Sequence, residues 1–155
     1  MTDEDYVRLT LEIAREARKA GNHPFGAILV GPNGEVLSRA GNTHGAASDR
    51  TGHAERILMS SASVTWPAHF LARCTLVSSA EPCAMCAGSA YWAGIGRVVY
   101  GLSERDLREL IGSHPENLTM DLPCRVVLGS GQRAIEVVGP LLEAESRAVH
   151  DGFWH

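Results

Sequence analysis

No block of lysine and arginine occurs anywhere in the 155 residues, and the formal net charge is −4. The chain therefore lacks the electrostatic footprint of a protein that grips a polyanion, and small uncharged ligands suit it better. No apolar run approaches the length of a bilayer-spanning helix, which excludes a helical membrane span. The opening residues, Met1-Thr2-Asp3-Glu4-Asp5, are acidic and lead straight into a helical pattern, with neither the basic nor the apolar region of a secretory signal. The expected compartment is the cytoplasm. Cysteine is scarce, four in all, and in a reducing compartment these read as thiols and metal ligands rather than a disulfide framework. Internal repeats and low-complexity segments are also missing. With 45% hydrophobic and 21% charged residues, the expectation is one soluble globular domain spanning residues 1–155.

What is present is a regular alternation of patterns. Tyr6, Leu9, Ile13, Ala14 and Ala17 recur at helical spacing behind Thr2 and Asp3 as caps, and Gly21 supplies a stop. Residues 25–30 form a short apolar run, Gly31-Pro32-Asn33-Gly34 a turn, and residues 35–40 alternate in polarity, which together predict a hairpin. A polar, glycine-rich loop over 41–52 precedes His53, which opens a short helix. Residues 75–77 read as a buried strand, Pro82 breaks it, and residues 83–92 read as the next helix. Further strands are expected at 98–100 and 135–138, a charged helix at 104–111, a loop-rich excursion over 112–131, and a terminal helix opened by Pro140 and ending near Gly152. Strand and helix alternating after a hairpin place the chain in the α/β class, as a three-layer α/β/α sandwich around a five-stranded mixed sheet.

The chemistry concentrates in His53-Ala54-Glu55 and Pro82-Cys83-Ala84-Met85-Cys86. Cys83 and Cys86 are spaced to share one helix face, and N–H groups at a helix start favour their thiolates. With His53 they make three zinc ligands and leave the fourth tetrahedral position for water, the arrangement of a catalytic site with one zinc per chain. Glu55 is not needed as a ligand, no H-E-x-x-H pattern exists, and its carboxylate is free to move protons between water, ring nitrogen and a leaving amine. Alone, C-x-x-C is compatible with a structural metal, a redox pair or chance, and a lone histidine before a helix with a cap or a surface residue. Together the motifs favour catalytic zinc, with a purely structural zinc site as the competing reading. Cys74 and Cys124 have no partner motif and read as small packing residues.

Around these motifs, at Thr51-Gly52-His53-Ala54-Glu55 and Ala80-Glu81-Pro82-Cys83-Ala84-Met85-Cys86-Ala87-Gly88, the chain resembles the cytidine deaminase superfamily, in its guanine deaminase and tRNA adenosine deaminase branch. Pro24-Phe25-Gly26-Ala27, Asn42 and Ile95-Gly96-Arg97-Val98-Val99-Tyr100-Gly101 extend the likeness to about Gly101. The resemblance implies a cytidine deaminase-like fold, zinc on His53, Cys83 and Cys86, and Glu55 as the proton shuttle. It further implies that Asn42 and the backbone N–H of Ala54 hold the substrate ring. Phe25 and Trp92 are the aromatics it would place against a flat ring, although on spacing alone both read as core and Asn42 as a turn residue. Trp154, and less so Phe153, would form a lid over an active site within a homodimer, against the alternative that the last helix docks on its own core.

The chain departs from the branch at Gly52, where alanine is common and a looser helix entry is expected, and over residues 103–131. That stretch would carry ring-specific contacts or a second proton shuttle, with His114, Glu116 and Asp121 as candidates. His44, near Asn42, reads first as a surface-loop residue, with reach into the pocket as the alternative. The expected function is zinc-dependent hydrolytic deamination of a small free base, guanine first and cytosine or an aminotriazine-like ring next. Editing of adenosine in tRNA is the alternative, disfavoured by Glu143, Glu145 and Asp151 in the last helix where a basic tail would be needed. A non-catalytic zinc module is a third reading, at odds with an intact Glu55.

Overall fold

The computed structural model describes residues 1–155. Its helices are α1 (Asp3–Lys19), α2 (His44–Ala47), α3 (Ala54–Thr65), α4 (Ala68–Leu71), α5 (Ala84–Ala93), α6 (Glu104–Ile111), α7 (Cys124–Gly129) and α8 (Glu143–Ala148). The strands are β1 (Gly26–Val30), β2 (Val36–Gly41), β3 (Thr75–Ala80), β4 (Arg97–Leu102) and β5 (Glu136–Val138). They form one sheet in the order β2-β1-β3-β4-β5. β1 is antiparallel to both β2 and β3, whereas β3, β4 and β5 run parallel, so the sheet is mixed as expected.

α1 starts where Thr2 and Asp5 cap each other. The Thr2 hydroxyl accepts from Asp5 N–H at 3.1 Å and the Asp5 carboxylate accepts from Thr2 N–H at 2.9 Å. Its apolar stripe, Tyr6, Val7, Leu11, Ile13 and Ala14, packs on Ile28, Val30, Val77 and Val99 from one sheet face, joined by Val149 just after α8. The alternate residues Ala27, Leu29, Leu76, Val98 and Tyr100 point to the other face and meet α3, α5 and α7. This period-2 division between two buried faces is why the central strands read as continuous apolar runs. Gly26 lets β1 press against α1, since a side-chain carbon there would collide with Thr10 O and Ile13.

Two sequence expectations need correction. The excursion over 112–131 contains α7, and Pro140 does not open the last helix. Residues 139–142 instead run along the end of β4, with Leu141 N–H bonded to Tyr100 O at 3.2 Å and Gly101 O at 3.0 Å. Leu142 lies in the left-handed region at φ 51°, which no α-helix interior accepts, so α8 begins only at Glu143. The short α2 and α4 have no periodic signal and are not visible in sequence. No helix is long and apolar enough to cross a membrane.

Candidate active site

α3 and α5 bring their N-termini to one spot at the carboxyl end of β3, the position where open α/β sheets bind ligands. Alanines make this approach possible: Ala54 and Ala62 of α3 and Ala87, Ala90 and Ala93 of α5 are all buried in the shared core. His53 is the N-cap of α3 and Cys83 the N-cap of α5, with Cys86 one turn further in. His53 Nδ1 lies 3.5 Å from Cys83 Sγ and 3.6 Å from Cys86 Sγ. A tetrahedral zinc with Zn–N of about 2.05 Å and Zn–S of about 2.3 Å requires N···S edges of about 3.6 Å. The three side chains therefore fit zinc as they stand, with the ligand atoms grouped for a single ion. The hydrogen bond with Cys86, then that with His53, holds the Cys83 thiol down to about 4, so a thiolate ligand is ready at neutral pH.

Glu55 sits in the first turn of α3, buried beside His53, and lines a cavity together with His53 and Cys83. Burial pushes its carboxyl up to about 7, and a dication beside it would act in the opposite direction. Ala54 opens α3, where first-turn N–H groups have no partner inside the helix. Asn42 also lines the cavity. Its Oδ1 accepts from His23 N–H at 3.2 Å and His44 N–H at 2.8 Å, which turns the amide so that its NH₂ is left for a ligand. Phe25 supplies an aromatic wall.

The other walls were not foreseen in this form. His23 is buried and stacks on His44 at 4.2 Å. Glu116 lies 3.8 Å from His23 Nε2 and 3.9 Å from His44 Nδ1, and all three line the cavity. Burial first, and then His44, hold His23 down to about 4, so it is neutral at physiological pH. Glu104 is buried and lines the cavity beside Leu107, and burial pushes its carboxyl up to about 8. Glu81, from the zinc motif itself, accepts from Glu104 N–H at 2.9 Å and from Cys124 N–H at 2.7 Å, fastening the starts of α6 and α7 to the end of β3. An acid in the first turn of a charged helix looks the same in sequence whether it faces water or a cavity, which is why Glu104 gave no signal.

Trp92 is a correction. It is 85% exposed and lies outside the cavity, because α5 turns Cys86, Ala87, Ala90 and Ala93 inward and leaves position 92 on the solvent face. Trp154 does not line the cavity either. It packs behind the wall of its own chain, 5.0 Å from the His23 ring, 6.3 Å from Phe25 and 5.4 Å from His114, and its Nε1–H donates to His150 Nδ1 at 3.0 Å. Phe153 stacks edge-on to it at 4.7 Å and lies under the Arg18 guanidinium. Asp121 faces Arg108 at 3.5 Å on the outer surface. Gly52, just ahead of α3, is buried, and a side-chain carbon there would require Thr43 Oγ1 to shift. Cys74 and Cys124 are free and buried, as packing residues should be.

Residues 1–102 match the family model of the cytidine and deoxycytidylate deaminase zinc-binding region. A probable cytosine deaminase of Schizosaccharomyces pombe is 40% identical over 152 residues, 98% of this chain and 92% of its own. Guanine deaminase of Bacillus subtilis is 34% identical over 110 residues, 70% of each chain. Among solved structures, a protein in complex with 8-azaguanine has a TM-score of 0.80 at 27% identity, covering 96% of this chain and 83% of its own. A matched region that contains every zinc-cluster residue and a relative aligned almost end to end lead to one conclusion: the chain belongs to the cytidine and deoxycytidylate deaminase family and is a zinc-dependent deaminase.

Proposed function

We propose that the protein hydrolytically deaminates small free heterocyclic bases, with guanine and cytosine, the bases named for its relatives, as the first to be tested. The observation that carries this reading is the lining of the cavity. Glu55, Glu81, Glu104 and Glu116 face Arg50 as the one permanent cation, a lining hostile to the phosphates of nucleotides and RNA. Phe25 and the Asn42 amide suit a flat, uncharged ring.

Zinc, when bound by His53, Cys83 and Cys86, supplies a Lewis acid that makes water acidic near neutral pH. Glu55 takes the first proton from water and delivers it to the ring nitrogen, then takes the second from the hydroxyl newly formed on carbon and delivers it to the departing amine. The amino-bearing carbon loses its C–N bond and gains C–O, and the products are ammonia and the oxo base. Asn42 Nδ2 and Ala54 N–H hold the ring while this occurs. A cytoplasmic homodimer completes the proposal.

An ammonia-release screen over guanine, cytosine, adenine, isoguanine, aminotriazines and the nucleosides decides it, with a tRNA anticodon stem-loop as the competing substrate. At least one free base is expected to be turned over with kcat/KM roughly 100-fold or more above that for the stem-loop. Faster deamination of the stem-loop than of every base would transfer the protein to the editing enzymes. Glu55→Gln should lower turnover by about 10²–10⁴-fold.

A further inference from the structure

Glu104 is only 5% exposed, yet its carboxyl accepts no hydrogen bond from the protein. The contrast with Glu81 next to it is informative. Glu81 is equally buried, and both of its oxygens are taken by backbone N–H groups at 2.9 and 2.7 Å. The start of α6 has no need of the Glu104 side chain, since Ser103 caps the helix by accepting from Asp106 N–H at 3.1 Å and Glu81 holds the Glu104 N–H. It forms no ion pair either, Arg108 of the same helix lying against Asp121. Its neighbours include the acidic Cys83, Glu81 and Glu55 and the basic His53. The residue is buried, but its carboxyl oxygens open on the cavity, where solvent or a ligand completes their hydrogen bonds.

We propose that Glu104 is a specificity-determining residue whose carboxyl hydrogen-bonds an N–H-bearing amide or amidine edge of the heterocycle, the edge not held by Asn42. The assignment rests on the deaminase reading above and deepens it. A carboxyl group accepts from a ring N–H through either oxygen, so it complements a ring edge that presents N–H. Substrates that carry an alkyl group or a sugar on that nitrogen lose the pair and place a bulky group against Glu104 and Leu107. Selection of free bases over nucleosides follows directly.

The test is a cycle between enzyme and ligand, read as dissociation constants by calorimetry on zinc-loaded protein carrying Glu55→Gln, so that the base is not consumed. The preferred base and each of its ring-N-methyl isomers are titrated into this protein and into the same protein with Glu104→Ala added. Methylation of one nitrogen should weaken binding roughly 100-fold or more with Glu104 present and less than about 5-fold without it. An equal methyl penalty in both proteins overturns the assignment while leaving the deaminase reading intact, and failure of any base to bind overturns both. Thermal melting of Glu104→Gln in the otherwise unchanged protein gives an independent readout. A functional carboxyl predicts an equal or higher Tm with zinc content unchanged, and a lower Tm with unaltered base preference would assign Glu104 to the fold instead.

Discussion

Three buried glutamates meet at one cavity, and each is satisfied in a different way. Glu81 gives both oxygens to backbone N–H groups, Glu55 stands beside the metal ligands, and Glu104 faces the cavity without a protein partner. Their substitutions should accordingly separate. Cys83→Ala removes one of three ligands and should leave less than one zinc per chain by metal analysis, with turnover lost in parallel; Glu55→Gln should retain the full zinc content while turnover falls. Retained stoichiometric zinc in Cys83→Ala would remove that residue from the ligand set. The grouping of His53, Cys83 and Cys86, with Glu55 on the same cavity, was legible in the sequence because it depends on spacing at helix starts, which is local. The role of Glu104 was not, because burial arises only when α6 folds over the end of β3. Trp92 misled for the same reason in reverse: an aromatic beside a zinc motif is close to the site in sequence, but one residue along a helix is 100° of rotation.

At the scale of elements, the connection between the metal motif and the substrate wall is a single carboxylate. Glu81 spans from the end of β3 to the first N–H groups of α6 and α7, neither of which has an intrahelical acceptor. Replacing one oxygen by NH₂ in Glu81→Gln sets a donor against a donor and should cost on the order of 1–3 kcal/mol of stability. Chemical denaturation checks the magnitude, and amide exchange should quicken at Glu104 and Cys124 before it does in α1. Unchanged exchange at both amides would show that other contacts fix these helices. The long elements were readable because their apolar residues repeat at a clean period of two or 3.6. α7 and the delayed start of α8 were not, since the first follows a proline-rich stretch without periodicity and the second is set by Leu141 bonding across to β4.

For the whole molecule, folding in acid should be governed partly by two histidines. A free imidazole takes up its proton near 6.5, whereas burial holds His150 down to about 4, and His23 likewise. Between these values the unfolded chain binds more protons, so the stability present above about 6.5 is lost as the pH falls towards 4, by up to roughly 3 kcal/mol for each group. His150 is the cleaner probe, because protonation at Nδ1 removes the acceptor of the Trp154 indole N–H. His150→Gln should flatten the fall in Tm between pH 7 and pH 4.5, with zinc content measured at each pH. A slope identical to that of the unsubstituted protein would exclude the contribution.

The cavity is also divided between two kinds of backbone. His53, Glu55 and Cys83 sit at helix starts anchored in the sheet layer, whereas Glu104, Glu116, Asn117 and Thr119 come from the segment that follows β4. On the proposed roles, the reacting groups and the ring contacts of Phe25, Asn42 and Ala54 lie ahead of β4 and Glu104 after it, so drift in the second stretch can alter selection without disturbing the reaction. A lineage built on this plan can change diet while keeping its chemistry, with Glu81 marking the seam along which the two parts are joined.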